Sequence, residues 1–219
     1  MIKLPLFPLN TVLFPGAPIH LNIFEQRYRL MLRECIQDNL PFGVCLIRRG
    51  AEAFGTLADP YPIGCTARIV HLEPLSDGRI NLTAIGDERF IIRSLNDQKS
   101  YLVGEVDLMG IIHTDAVNLD ESVVHLKPWV EQYLSLLSRL EDEYYDHKRS
   151  EVPSDPMQMV YIAASLLQIP PFEKQFILSI PTTYQLFNHL LRLYRRETAV
   201  LKYQLKYTNR EATRAAVQN

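Results

Sequence analysis

Three prolines interrupt the apolar opening of the chain, Leu4-Pro-Leu-Phe-Pro-Leu-Asn-Thr-Val-Leu-Phe-Pro-Gly16. Each removes a backbone donor and pushes the residue before it into extended conformation, so no helix forms here. A secretory leader needs a basic start and an unbroken apolar run. This segment has one lysine, Lys3, and prolines at 5, 8 and 15. What remains is a series of short extended pieces, held down by burial of Leu4, Leu6, Leu9, Val12 and Leu13.

A chain of 219 residues has room for one large domain or two modest ones. No apolar run approaches the roughly 18 to 20 residues that a membrane helix needs, so no membrane partner is expected. A formal net charge of −2 gives no overall attraction for nucleic acid or anionic lipid. The three cysteines, Cys35, Cys45 and Cys65, form no CxxC pair. That spacing fits neither a disulfide framework nor a thiolate zinc site and reads as buried thiols in a reducing cytoplasm.

The pattern changes near residue 115. Before it, short apolar runs alternate with Gly, Pro, Asn and Asp, and strands are predicted over 18–23, 42–48, 66–75, 80–85, 89–95 and 101–109. One helix interrupts them, over 25–37, with Tyr28, Met31, Leu32, Cys35 and Ile36 on one face and Gln26, Arg29, Arg33 and Glu34 opposite. Ser76-Asp-Gly-Arg79 reads as a hairpin turn, since Asp-Gly supplies the positive φ that a tight turn needs. Short gaps between strands argue against parallel βαβ units and for a curled sheet or small barrel. The expected class is α+β, with a β-rich lobe over 1–112 and a helical lobe over 113–219.

Beyond residue 115 the periodicity is helical. Leu126, Val130, Tyr133, Leu134, Leu137 and Leu140 line one face of a helix that contains Pro128, where it either starts or bends. The acidic run Glu141-Asp-Glu-Tyr-Tyr-Asp146 lacks calcium-loop spacing and reads as a solvated connection. Asp155-Pro156 opens a second helix, Pro170-Pro171 a short third, and Thr182-Thr183 caps a long last one. That last helix carries Arg195, Arg196 and Lys202 in a basic stretch interleaved with Tyr194, Tyr203 and Tyr207. It reads as a solvated helix end, with a partner-docking or nucleic-acid patch as the alternative.

Catalytic patterns are missing. The sequence contains no GxxxxGK[ST] phosphate loop, GxSxG elbow, SxxK pair or HExxH helix. Its six histidines are scattered, with no pair at metal-ligand spacing. No metal, no cofactor and no catalytic residue is expected.

Several ordered segments carry a family likeness. The opening stretch, then Ile19-His-Leu-Asn-Ile-Phe-Glu-Gln-Arg-Tyr28, resembles the start of the Lon protease N-terminal domain. Ile63-Gly-Cys-Thr-Ala-Arg-Ile-Val70, the turn at 76–79, Ile85-Gly-Asp-Glu-Arg-Phe-Ile91 and Ala163-Ala-Ser-Leu-Leu-Gln-Ile-Pro170 follow in the same order. The resemblance spans residue 4 to about 205 and implies a PUA-like pseudo-barrel with one inserted helix, then a helical bundle ending in a long helix. In this likeness the proline-punctuated segment is the barrel's edge, and its prolines keep other strands off.

The resemblance further implies a non-catalytic module that recognises substrate proteins. The Walker loop and Ser-Lys peptidase of full-length Lon proteases are absent from this sequence, which looks like a stand-alone recognition domain. Expected partners are unfolded or extended segments of other proteins and a separate ATPase or protease, with self-association also open. Candidate contact residues are Phe14, Phe24 and Arg27 near the first helix, and Phe54, Tyr61 and Pro62 in the loop before the strand at Ile63. An RNA-binding module using Arg195, Arg196 and Lys202 is the alternative, and a small ligand in the barrel a third.

Overall fold

The computed structural model of the chain describes residues 1–52, 58–113, 119–140 and 155–217, with all of their side chains except those of 119–120 and 208–217. Phe54 and the acidic run after residue 140 lie outside the described residues. Strands β1 (Ile2–Leu9), β2 (Pro18–Ile23) and β3 (Phe42–Arg49) bracket helix α1 (Gln26–Gln37). Then come β4 (Asp59–Pro60), β5 (Ile63–Pro74), β6 (Ile80–Asn96) and β7 (Val103–Leu108). Helices α2 (Leu119–Leu140), α3 (Pro156–Leu166), α4 (Pro171–Ser179) and α5 (Thr183–Val217) follow. The class is α+β, as the sequence implies.

The sheet closes on itself. β1 pairs with β7, β7 with β6, β6 with β5, β5 with β3, and β3 again with β1. β2 adds to the outer half of β6, and β4 to β3.

Two expectations are corrected here. β1 is no edge: residues 2–5 pair antiparallel with β7 and 6–9 pair parallel with β3. The strand changes partner between Pro5 and Leu6, and strand nitrogens face alternate sides, so proline is tolerated where its nitrogen points away from the ladder. The β1–β3 pairing is also parallel, although the short gaps between most strands argue against parallel βαβ units. The chain between these strands is long enough for the crossover because it holds β2 and α1.

Closure creates an apolar interior. Leu4, Leu6, Cys45, Phe90, Leu102 and Val106 form one buried cluster, with Ile92 packed against it. Gly64 makes room for it: a Cβ there would stand 2.5 Å from both the Phe90 ring and the Val44 carbonyl oxygen. Phe7 stacks on Tyr28 with ring centroids 4.0 Å apart, which fixes the buried face of α1 to the barrel.

The chain forms two compact units that interleave in sequence. The first holds residues 1–112 together with 164–181, and the second holds 113–163 with 182–219. Within the first, Gln175 on α4 donates to the Ile63 carbonyl at 2.9 Å, tying that helix to the start of β5. Within the second, α2 packs along α5, and Tyr133 meets Tyr194 edge-on at 5.4 Å. The Tyr194 hydroxyl donates to the Ala163 carbonyl at 2.7 Å. Pro128 lies inside α2, which continues through it.

The predicted helix starts hold. Asp155 accepts from the Met157 and Gln158 nitrogens, with Pro156 in the first helical position. Thr182 caps α5 by accepting from the Gln185 nitrogen at 3.3 Å.

Candidate functional site

Helix α1 exists because Tyr28, Met31, Leu32 and Cys35 recur at helical spacing and are buried. It ends in a Schellman motif. Asn39 adopts φ +50°, the Leu40 nitrogen donates to the Cys35 carbonyl at 2.8 Å, and the Asn39 nitrogen donates to the Ile36 carbonyl. Outside that buried stripe, Leu30 and Ile36 remain 40% and 52% exposed among Arg29, Arg33 and Gln37, so the rest of the helix surface is apolar and cationic at once.

A groove of about 400 Å³ runs between α1 and the β5–β6 hairpin. Leu32, Ile36, Leu72, Pro74, Leu75 and Ile80 give it apolar walls, and Arg29, Arg33 and Arg79 stand around them. Across the helix a second depression of about 650 Å³ shares Arg29 and Arg33 and adds Gln26, Arg27, Leu30 and Ser100.

The hairpin tip that forms the far wall is built as the Asp-Gly pair predicts. Gly78 has φ +81°, and the Asp77 carboxylate accepts from the Arg79 backbone and side chain. Arg29 links α1 to the hairpin tip, donating to the Gly78 carbonyl at 3.0 Å and to the Phe24 carbonyl at 3.1 Å. Both partners are neutral, so these bonds fix the guanidinium without cancelling its charge.

The other side of α1 is held by a separate triad. Tyr101 donates to Glu34 at 2.6 Å, and Lys99 reaches both Glu34 and the Tyr101 hydroxyl. Hydrogen bonds from Lys99 and then Tyr101 hold the Glu34 carboxyl below its ordinary value.

The predicted contact residues fall in different places. Phe14 is fully buried and offers no surface. Phe24 is 42% exposed where β2 passes into α1. Arg27 is mostly covered, paired with Glu25 at 3.0 Å and lying over the Tyr28 ring. Tyr61 is half-buried, and Pro62 is exposed while its carbonyl accepts from the Ile92 nitrogen. On α5, Arg195 stacks over Trp129, Arg196 pairs with Glu197, and Lys202 reaches Gln132.

The sequence pattern places Ile36 on the buried face and does not single out Leu30, Leu72, Pro74 or Ile80, although Ile36 is exposed. Leu30 gave a usable signal, a leucine set between Gln26 and Arg33 on the polar face of an amphipathic helix. The hairpin residues gave none, because their meeting with α1 depends on closure of the barrel.

Among the described residues no group of three or more His, Cys, Asp or Glu is placed to hold a metal ion. No described helix is long and apolar enough to cross a membrane.

A closed ring of β-strands with an inserted helix, and a helical unit that ends in a long helix, make this an α+β chain, with an apolar groove on the surface of the β-rich unit. The chain belongs to the family of the ATP-dependent protease La (LON) substrate-binding domain, whose model matches residues 3–196. It is 26% identical over 205 residues to Lon protease 2 of Myxococcus xanthus, covering 93% of this chain and 24% of that protein. Lon protease of Anaeromyxobacter dehalogenans is 25% identical over 207 residues, with the same coverage of each. The chain thus spans about a quarter of the length of these curated relatives.

Among solved structures, the Lon N-terminal domain protein from Xanthomonas campestris superimposes with a TM-score of 0.59 at 25% identity, over 88% of this chain and 98% of that one. The N-terminal domain of the Mycobacterium avium complex Lon protease gives 0.63 at 14% identity over 90% and 98%, a likeness of fold.

Proposed function

We propose that this chain recognises polypeptides by seating apolar side chains of an extended segment in the groove between α1 and the β5–β6 hairpin. The observation that carries this is the exposed Ile36 facing Leu72, Pro74 and Ile80 across a groove of about 400 Å³. That volume suits a few side chains, and the hairpin gives one wall a rigid strand geometry. Membership of a substrate-binding family supports the same reading. The cations of α5 support RNA binding less well, because Arg195, Arg196 and Lys202 are each engaged by neighbouring side chains. A Lon-type ATPase and protease is the partner that would act on a held segment.

The test is binding of a permanently unfolded protein, reduced and carboxymethylated, compared with its folded form. The full chain is expected to bind the unfolded form selectively, and Ile36→Asp with Leu72→Asp to weaken that binding by about tenfold or more. Equal binding by this variant, with its circular dichroism unchanged, would remove the groove from the reading. Equal binding of folded and unfolded forms would remove the reading itself.

A further inference from the structure

We infer that the α1–hairpin groove selects segments in which carboxylates flank the apolar anchors, and that Arg33 reads the charge. This rests on the polypeptide-recognition reading above and adds a sequence preference to it. Three guanidiniums line the groove, Arg29, Arg33 and Arg79, and no carboxylate appears among its described lining residues. Arg79 is neutralised by Asp77 at 2.7 Å. Arg29 spends its hydrogen bonds on the carbonyls of Gly78 and Phe24. Arg33 is exposed and makes no ion pair among the described residues.

The acids nearest in sequence are engaged or sit at the margins. Glu34, one residue along α1, is bound to Lys99 and Tyr101. Glu73 accepts from Asn81, and Asp38 follows the helix end. Two positive charges therefore stand uncancelled beside an apolar floor, in a chain whose formal net charge is −2. Leucine-like side chains fill the floor while a neighbouring aspartate or glutamate meets Arg33 at the rim. Phosphate chemistry is a poorer match, since a nucleic-acid backbone would leave Leu72, Pro74 and Ile80 without an apolar partner.

The experiment uses fluorescence anisotropy with the full chain and three labelled peptides of about twelve residues, a length that spans a groove of this kind. All three carry the same leucines. The positions between them are aspartate in one, asparagine in the second and lysine in the third. A single-stranded RNA oligonucleotide is the fourth probe. The aspartate peptide is expected to bind best, with its advantage over the asparagine peptide shrinking as salt is raised. Arg33→Glu should weaken the aspartate peptide about threefold to tenfold, tighten the lysine peptide, and leave the asparagine peptide within about twofold. Arg33→Lys should keep most of the preference.

Equal affinity for the three peptides, unchanged in Arg33→Glu, would overturn the charge preference and leave polypeptide recognition standing. Failure of all three peptides to bind would overturn both. Binding of the oligonucleotide in preference to the aspartate peptide, lost in Arg33→Glu, would give the cationic face to nucleic acid and overturn the proposal.

Discussion

Arg89 Nη1 on β6 donates to the carbonyl oxygen of Ile180 at 2.7 Å, joining positions 91 residues apart. The same nitrogen reaches the Leu178 carbonyl at 2.9 Å, and Nη2 reaches the Gly110 carbonyl at 2.8 Å. Only 2% of the residue is exposed, so these bonds are made out of water's reach. The end of α4 and the exit from β7 are thereby held to one strand of the barrel. Arg89→Met should destabilise the chain by about 3 kcal/mol, because it strands buried carbonyls that water cannot solvate. Arg89→Lys should recover only part, since an ammonium lacks the planar fork. The shift in urea midpoint measures both, and a loss below about 0.5 kcal/mol for Arg89→Met would show that the bonds are replaceable.

Gly86 gives a second, steric prediction. Its nitrogen donates to the Ala17 carbonyl at 2.9 Å, and its own carbonyl accepts from the Gly16 nitrogen at 2.8 Å. A Cβ at position 86 would stand 2.2 Å from the Phe14 carbonyl oxygen. Backbone must move to admit it, so Gly86→Ala should cost about 1 to 3 kcal/mol. Gly110 is the control, because a Cβ there meets nothing within 4 Å. Gly110→Ala should be neutral or stabilise by up to about 1 kcal/mol through the unfolded state. Thermal unfolding of the two variants side by side checks the contrast.

Gly86 also marks where the sequence stops being legible. Ile85-Gly-Asp-Glu reads as a break between two strands, yet β6 runs unbroken from Ile80 to Asn96. The glycine serves close approach to the 14–17 segment, a contact that no local pattern announces. Local signals are legible: the Asp77-Gly78 turn, the Thr182 and Asp155 caps, and the buried stripe Tyr28, Met31, Leu32 and Cys35. These features are set by neighbours a few residues away. The pairing of β1 with both β3 and β7 is set by distant segments, so its prolines read as an edge. Ile36 reads as buried for a related reason: it lies at the boundary of the helix's apolar arc, and its exposure depends on how far the hairpin reaches over it.

The triad on the far side of α1 makes stability depend on acid. The Glu34 carboxyl is held below the ordinary glutamate value of 4.5 by Lys99 and Tyr101. A carboxyl depressed by folding contributes stability above its unfolded pKa, and that contribution fades as pH falls through the folded value. Glu34→Gln should therefore be less stable than the parent at neutral pH, by no more than about 1 kcal/mol for so exposed a pair. The difference should close below pH 4.5 as the parent's carboxyl protonates. Melting temperatures of both proteins across an acid series test this, and a gap that stays constant to low pH would show that glutamine merely disturbs packing.

The three thiols supply a prediction about access. Cys35, Cys45 and Cys65 are free and buried. Burial pushes the Cys35 thiol up to about 11 and the Cys65 thiol up to about 12, with Cys45 raised further. The thiolate is the nucleophile, so burial that raises all three thiols leaves little of the reactive form at mildly alkaline pH. Iodoacetamide should leave the native chain unmodified over the minutes in which it alkylates all three cysteines in urea. Cys65 lies on β5 in register with Arg89, so Arg89→Met should speed its alkylation by raising the population of open states. Mass spectrometry of the modified peptides gives the site and the rate. Rapid labelling of Cys45 in the native parent protein would mean that the barrel interior opens without unfolding, and the closed ring of strands would then be a looser assembly than its pairing implies.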